Sequence, residues 1–409
     1  MTFEQLGSAA FFIERLKERG ITKPTDIQCR IIPRLSEGES VFFTSATGTG
    51  KTFAYLLPFL SRIIQESSRS ETQRESELKF VIIAPTLELC TQIKGELDFL
   101  LFGTGISSAL LIGSVNLERQ IDNLKKTKPD IIVGNPNRLF VLAKKRFIKF
   151  SCLRFLVLDE ADRLVSEEML GETGELCKII NRETKKTGNS LVLAACSATM
   201  NKKCREKLLN VYNGANRKIP FIESEEHEIL REKIEHWAIF SEKRRKDQTL
   251  RSLLAALKAN KKRTKVLVFT GRGDDAAIIL SRLQHHHIAA AGLFGKVGKK
   301  PLSSTERKEA LDLFRQGKID VLVSTDLAAR GLDIPDITAV IALDVPSDSE
   351  VYIHRCGRTA RAGKRGIMVT IGDETQMRLL VLLEKKLKIR VQPKELHYGK
   401  VCTPLPLTP

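Results

Sequence analysis

Aromatic residues are scarce in this 409-residue chain, at 6% with a single Trp, and long apolar runs are missing altogether. No stretch of about 18 or more apolar residues occurs, which argues against a transmembrane span. The opening MTFEQLGSAAFFIERLKERG has no basic segment followed by an apolar one, so no signal peptide is expected. Cysteine pairing motifs are absent too: none of Cys29, Cys90, Cys152, Cys177, Cys196, Cys204, Cys356 and Cys402 forms a CxxC pair, and no Cys/His cluster has zinc-ligand spacing. Most of these cysteines sit inside apolar segments, as buried reduced thiols of a cytosol-like compartment do. His285, His286 and His287 are adjacent, so they cannot converge on one ion from a regular element; they read as a partly solvated helix end. The few aromatics are not interleaved with basic patches, and no base-stacking platform is expected.

Acidic residues are in deficit, 49 against 67 Lys and Arg, for a formal net charge of +18. Such a field concentrates polyanions, with nucleic acid ahead of an anionic membrane surface; a solvated basic surface would account for charge alone equally well. What is abundant is core-forming material: 42% of the residues are hydrophobic, enough at this length for two domains.

Short apolar runs recur, each followed by a longer amphipathic stretch. In the first half they are VFFTS (41–45), FVIIAP (80–85), ALLIG (109–113), DIIVGN (130–135), RFLVLD (154–159) and SLVLAACSAT (190–199). The second half has KVLVFTG (265–271), DVLVSTD (320–326), AVIALDVP (339–346) and GIMVTIGD (366–373), preceded by the strand-like KIEHWAIF. Continuous rather than alternating apolarity marks strands covered on both faces, and the intervening helices mark βαβ units. The expectation is an α/β chain with two doubly wound parallel sheets: a first domain over 1–221, a linker over 222–232, a second domain over 233–390 and a short tail over 391–409 whose CTPLPLTP end is extended and loosely held. Residues 66–79, ESSRSETQRESELK, read as a polar surface loop.

Two motifs carry chemistry. VFFTSATGTGKT (41–52) is a strand, a small-residue turn and a helix start. Gly48 and Gly50 let backbone N–H groups converge on phosphate oxygens at a helix N-terminus. Lys51 adds a point charge for the β- and γ-phosphates, and the Thr52 hydroxyl suits Mg2+. Ser45 stands where the strict phosphate-loop pattern has its first Gly; Ala46, Thr47 and Thr49 complete the loop. RFLVLDEADRL (154–164) delivers Asp159 and Glu160 to a strand's C-terminal edge, where open α/β sheets bind ligands. Asp159 would hold Mg2+ through water, and Glu160 would orient or deprotonate the attacking water.

ATGTGKT, the literal DEAD of Asp159–Asp162, SAT at Ser197–Thr199 and HRCGRTARAG at 354–363 stand in the order and spacing of the DEAD-box RNA helicases, which the chain resembles over about residues 1–390. The resemblance implies two tandem RecA-like domains, ATP with Mg2+ as cofactors, and RNA as the partner, bound mainly by its backbone with little sequence specificity. It implies that Gln28, in GITKPTDIQ (20–28), reads the adenine edge and that Phe3 stacks on the base, although Phe3 by itself also reads as a core staple for the first helix. Asp26 replaces a proline common there. Asp333 would contact the ATP ribose, Arg358 and Arg361 would be arginine fingers, and Asp162, Ser197, Thr199 and His354 would couple the lobes. Pro85, Thr86, Gly113, Arg138, Thr325 and Arg307 would contact RNA.

The RNA motifs depart from the family pattern. Leu87 replaces a basic residue, Ser114 a Gly, Asn135 and Asn137 the Thr and Gly of a TPGR motif, and Ser304 a Gln. A basic insertion, KVGKK (296–300), precedes Ser304, and Lys296, Lys299 and Lys300 are expected to compensate through phosphate contacts. The expected function is an ATP-dependent RNA helicase that locally unwinds and remodels RNA, monomeric, off membranes, in the cytoplasm or a nucleus, with protein targeting partners. The alternatives are an ATP-gated RNA clamp with little unwinding and a DNA-directed motor of the same superfamily.

Overall fold

The structure, a computed structural model, describes residues 1–45, 50–69, 77–188, 190–212, 218–223, 232–260, 264–294, 296–297, 300–301, 304–326, 337–360 and 365–404. The chain forms two compact units, Met1–Ser224 and Glu225–Pro409.

The first unit is built on seven strands: β1 (Val41–Thr44), β2 (Phe80–Ile83), β3 (Ser108–Leu111), β4 (Ile131–Gly134), β5 (Phe155–Asp159), β6 (Val192–Ser197) and β7 (Phe221–Glu223). Their order is β3-β4-β2-β5-β6-β1-β7, and every pairing is parallel. The apolar runs are continuous because both faces are covered. Phe43, Phe80, Ile82, Phe155 and Val157 point into one core, and Phe42, Val81, Ile83, Leu156 and Leu158 into the other. Helices α1 (Ala10–Glu18), α2 (Asp26–Ser36), α3 (Lys51–Arg69) and α4 (Leu87–Leu101) bury Phe12, Ile31, Phe59 and Ile93 in the first core. Helices α5 (Leu117–Thr127), α6 (Pro136–Lys144), α7 (Ala161–Leu164), α8 (Leu170–Lys186) and α9 (Lys202–Val211) contribute Leu124, Leu139, Leu164, Leu176 and Leu208 to the second. Phe59 stacks on Phe155 with centroids 4.6 Å apart, tying α3 to the strand that carries the acid pair. Truncating either ring to Ala would cost about 3–5 kcal/mol.

The second unit has β8 (Ile234–Phe240), β9 (Val266–Thr270), β10 (Ala290–Leu293), a hairpin of β11 (Lys296–Val297) and β12 (Lys300–Pro301), then β13 (Val321–Thr325), β14 (Ala339–Ala342), β15 (Gly366–Gly372), β16 (Val391–His397) and β17 (Lys400–Cys402). The main sheet runs β10-β13-β9-β14-β15-β8-β16-β17 and is parallel except for the antiparallel β16–β17 pair.

Several boundaries differ from the sequence expectation. The first unit extends past 221, because Phe221–Glu223 is an edge strand beside β1. Residues 391–402 are sheet, not tail: Val391 to Lys394 pair with His236 to Ile239, and β17 folds back on β16. Pro393 and the polar VQPKELH pattern disguise this strand; proline is tolerated there because the strand sits near the sheet edge. Helix α3 continues to Arg69, so part of the expected 66–79 loop is helical, as the strong helix formers of IIQESSR permit. Strand β10 was hidden because AAGL lacks the β-branched residues that announce a strand. The histidine run behaves as expected: the helix Gly273–His285 ends there, with His287 in the left-handed region.

Candidate nucleotide and RNA site

Three neighbouring strands of the first unit end together: β1 at Thr44, β6 at Ser197 and β5 at Asp159. Ser45, fully buried, donates its N–H to the Ser197 carbonyl at 3.0 Å, fixing the strand from which the phosphate loop departs. Helix α3 starts at Lys51, so Lys51 and Thr52 occupy its positive N-terminus. Gly50 has φ +92, and a Cβ there would collide with Gln28 Nε2; only glycine fits. Ala46, Thr47, Gly48 and Thr49 lie outside the described residues.

The acid pair is held by groups that local sequence does not announce. The Tyr55 hydroxyl, one turn into α3, donates to Asp159 Oδ2 at 2.8 Å in a buried bond. Asp159 Oδ1 accepts from the Glu160 N–H at 2.8 Å and from Cys196 Sγ at 3.3 Å. Burial, followed by the Asp159 charge, lifts both the Tyr55 hydroxyl and the Cys196 thiol well above their ordinary pKa values, so both remain neutral donors. Glu160 is 5% exposed and sits at φ 47, ψ 53, a left-handed conformation that costs a non-glycine residue on the order of 1 kcal/mol. Its Oε2 is buried without a hydrogen-bond partner. Strain and an orphaned oxygen in one residue mark a group held ready for a ligand. Asp162 accepts from Thr199 Oγ1 at 3.0 Å, joining the DEAD and SAT segments within this unit, and the Ser197 hydroxyl accepts from the Thr199 N–H at 3.4 Å.

Gln28 spends its amide on the protein. Its Oε1 accepts from the Thr25 N–H at 2.9 Å, closing the N-terminus of α2, and its Nε2 donates to the Gly50 carbonyl at 3.0 Å. The segment expected at adenine is thereby tied to Gly50, just before α3. Phe3 is 2% exposed and packed in the core, so little of its ring is open for stacking.

The first-unit residues expected at RNA stand beyond the ends of three neighbouring strands, β2, β4 and β3. Thr86, directly after Pro85, caps α4 by accepting from the Leu89 N–H at 3.2 Å. Asn135 caps α6 by accepting from the Arg138 N–H at 3.3 Å. Asn is as good a cap as the Thr it replaces, so that departure leaves the helix start intact. Arg138 is anchored: it donates to the Gly113 carbonyl at 2.9 Å and to Gln120 Oε1 at 3.1 Å, while Gln120 Nε2 donates to the Ile112 carbonyl at 3.0 Å. Leu87 is half-buried against the core, exchanging an outward group for an internal contact, and the exposed Asn137 hydrogen-bonds Glu172 at the surface. Ser114 is exposed.

In the second unit, Arg355 is 1% exposed and forks onto Asp326 at 2.6 and 2.8 Å while also reaching Asp344 at 3.0 Å. Burial pulls its pKa down, but the Asp326 and Asp344 bonds outweigh that and hold the guanidinium charged. This triad, with the arginine buried and both aspartates partly exposed, pins β13 and the loop after β14 to the helix Ser349–Cys356, which carries His354 and leads into Arg358. Arg358 is buried and donates its Nε to the His354 carbonyl at 3.3 Å. Thr325 ends β13, half-buried, and Arg307 lies on the helix Ser304–Arg315, which begins at the substituted Ser304. Asp333, Arg361 and Lys299 lie outside the described residues.

Tyr55, Cys196, Gln120, Asp326 and Arg355 are the supporting neighbours of the expected site residues that sequence reasoning missed. Only Arg355 and Asp326 carried a signal, as charged residues within HRCGR and next to a strand end.

Among the described residues no helix is long and apolar enough to cross a membrane. The DEAD/DEAH box helicase family matches residues 25–207, and the helicase conserved C-terminal domain family matches residues 245–363. The chain is 33% identical to the DEAD-box ATP-dependent RNA helicase CshC of Bacillus cereus over 98% of its own length and 95% of the relative's. It is 31% identical to the probable ATP-dependent RNA helicase YfmL of Bacillus subtilis, covering 98% and 99% of the two chains. Among solved structures, the DEAD-box helicase Mss116 bound to single-stranded RNA and UDP-BeF superposes with a TM-score of 0.84 at 25% identity, over 97% of this chain and 80% of that one. Taken with the acid pair, the phosphate loop and the two parallel sheets, these similarities place the chain in the DEAD-box ATP-dependent RNA helicase family.

Proposed function

We propose that ATP is bound and cleaved at the β1–β5–β6 edge of the first unit, with Lys51 and the N-terminus of α3 on the β- and γ-phosphates and Glu160 on the attacking water. The observation that carries this assignment is the acid pair itself. One carboxylate is locked by Tyr55 and Cys196, and its neighbour is strained, buried and short of a partner. Hard carboxylate and hydroxyl oxygens suit Mg2+, which is commonly held by one or two carboxylates, water and substrate phosphates rather than by a protein cage. Asp159 and Thr52 would hold it, in part through water, and when bound it neutralises charge on the phosphates.

Glu160, which has a free oxygen, orients the water and takes its proton. Asp159 stays fixed because its two donors cannot ionise near neutral pH. Arg358 and Arg361 of the second unit supply the remaining positive charge to the γ-phosphate, a role supported by the HRCGRTAR spacing. RNA is gripped by its backbone at the capped N-termini of α4 and α6, where Thr86 and Arg138 stand, at Gly113 beyond β3, and by Thr325 and Arg307. Hydrolysis then releases the strand, so that a duplex or an RNA–protein complex is locally remodelled. The bacterial relatives and the eight free thiols favour work in a reducing cytoplasm.

Glu160→Gln tests the assignment. Turnover should fall by at least about 100-fold, while RNA binding in the presence of ATP persists. Normal turnover in that variant, measured by phosphate release, would remove Glu160 from its role.

A further inference from the structure

The nucleotide and RNA residues stand where the strands of the first sheet end. Leu78, Pro129 and Cys152 precede β2, β4 and β5, and so mark the opposite edge, about 15 Å away along four- to five-residue strands. A cavity of about 460 Å³ opens there, floored by Leu78, Leu124, Ile132 and Ile148. Its rim carries Lys125, Lys128, Arg146 and Lys149 against a single acid, Glu77. Lys126, Lys144 and Lys145 adjoin them in sequence. All seven cations are exposed, and none makes an ion pair with a described residue. Between residues 117 and 154 the chain has ten Lys and Arg against three Asp and Glu, a local excess of cations.

Cations at helix C-termini have an ordinary use, offsetting the helix dipole, and Lys125 and Lys144 in the last turns of α5 and α6 serve it. Lys149 and Phe147 lie beyond both helices, and that use does not extend to them. Phe147 lines the same cavity, is 38% exposed, and has the Lys125 ammonium 5.6 Å from its ring centroid. The run KKRFIKF (144–150) thus interleaves an aromatic with cations, contrary to the expectation that no such platform exists. An exposed ring beside unpaired cations is what an unpaired nucleotide needs: a stacking face for the base and point charges for the phosphates.

We propose that this face is a second RNA-binding surface, which holds a single-stranded segment flanking the one gripped at the strand ends. The proposal rests on RNA being the substrate but not on the roles assigned at the nucleotide site. An RNA that reaches both edges must run around the first unit, so the surface engages long RNAs and is out of reach of short ones. It would retain the protein on its substrate after the strand-end contacts let go.

The test compares RNAs of about 8 and about 30 nucleotides, one within and one well beyond the span of a single compact site. Full-length Lys125→Gln/Lys128→Gln/Arg146→Gln/Lys149→Gln and, separately, Phe147→Ala are titrated with each RNA over a series of salt concentrations. For the long RNA, the quadruple variant should lose roughly ten-fold or more in affinity. Its log–log salt slope should flatten by about 0.7 for each lost phosphate contact. Phe147→Ala should weaken the long RNA by roughly five-fold or more. Affinity for the short RNA and the ATPase rate that it stimulates should be unchanged in both variants, which also reports intact folding. Unaltered long-RNA affinity and slope would overturn the proposal and leave the face to an acidic protein. Equal losses for short and long RNA would overturn it as a separate surface. If the unmodified protein bound neither RNA, the RNA-substrate reading itself would fail, a result distinct from either.

Discussion

Tyr55 shows how much one buried hydroxyl can decide. It lies in the turn that follows the phosphate loop, and its bond to Asp159 fixes the carboxylate rotamer from the α3 side while Cys196 does so from β6. Tyr55→Phe keeps the ring and removes the donor, leaving an ionised acceptor short of a partner, a change of about 1.5–3 kcal/mol for a bond to a charged group. The expected outcome is a weaker apparent affinity for Mg2+, with the half-saturating concentration in an ATPase titration rising by about ten-fold or more, and little change in RNA binding. An unshifted Mg2+ dependence would mean that Asp159 needs no such support. The buried thiols make a second prediction. Burial raises Cys90, Cys196 and Cys356 above their ordinary value and pushes Cys177 up to about 12. In the unfolded chain they titrate near 9, so above that pH the unfolded state loses protons that the folded state keeps. Stability is therefore full below about pH 9 and falls as pH rises toward 12, by about 1.4 kcal/mol per pH unit for each such group. Denaturant melts at pH 7 and pH 10 would register this as a lower midpoint at the higher pH.

At the scale of elements, the departures in the RNA motifs and the supposed tail have the same explanation: local letters are judged by what the element needs. Asn135 preserves a helix cap although it breaks a motif, and Leu87 joins the core although it removes a charge. The segment after residue 390 reads as a tail because its apolar residues are sparse, Val391, Leu396 and Val401 being five positions apart, and a proline stands among them. In the fold, Val391, Leu396 and Val401 pack against the second unit's cores, and β16 covers the otherwise open edge of β8. A chain ending at Arg390 would expose that edge, an invitation to strand pairing between molecules. It should melt lower by on the order of 5 °C or more and associate on concentration, whereas a chain ending at Pro404 should behave as full length. Equal melting and monodispersity of the two truncations by scanning calorimetry and light scattering would show β16 to be dispensable.

For the whole molecule, the charge needed for phosphoryl transfer is divided between the two units in the proposed reading. Lys51, Asp159 and Glu160 belong to the first, and Arg358 and Arg361 to the second. Neutralising both arginines to Gln should cut RNA-stimulated ATP turnover by about three orders of magnitude while nucleotide binding by the first unit is retained, as measured by fluorescent-nucleotide titration. Turnover at the unmodified rate would confine the chemistry to the first unit. The first unit's far sheet edge, which no helicase motif touches, carries seven cations against one acid, so salt dependence of RNA binding should reflect more than the motif residues.

The sequence alone determined the two-sheet architecture, the phosphate loop, the acid pair and the order of the helicase motifs. These follow from short-range facts: a continuous apolar run means burial on both faces, and a Gly-Lys-Thr turn or an acid pair at a strand end has its chemistry within a few residues. Tertiary structure decided what meets what. Tyr55 and Asp159 stand 104 positions apart and share one hydrogen bond. Phe3 and Gln28 are claimed by the core and by Gly50, and a basic rim is assembled from the ends of two helices and the loop that follows one of them. Contacts between distant segments depend on sheet order and helix crossing, which no local period records, so only the folded chain places these groups together.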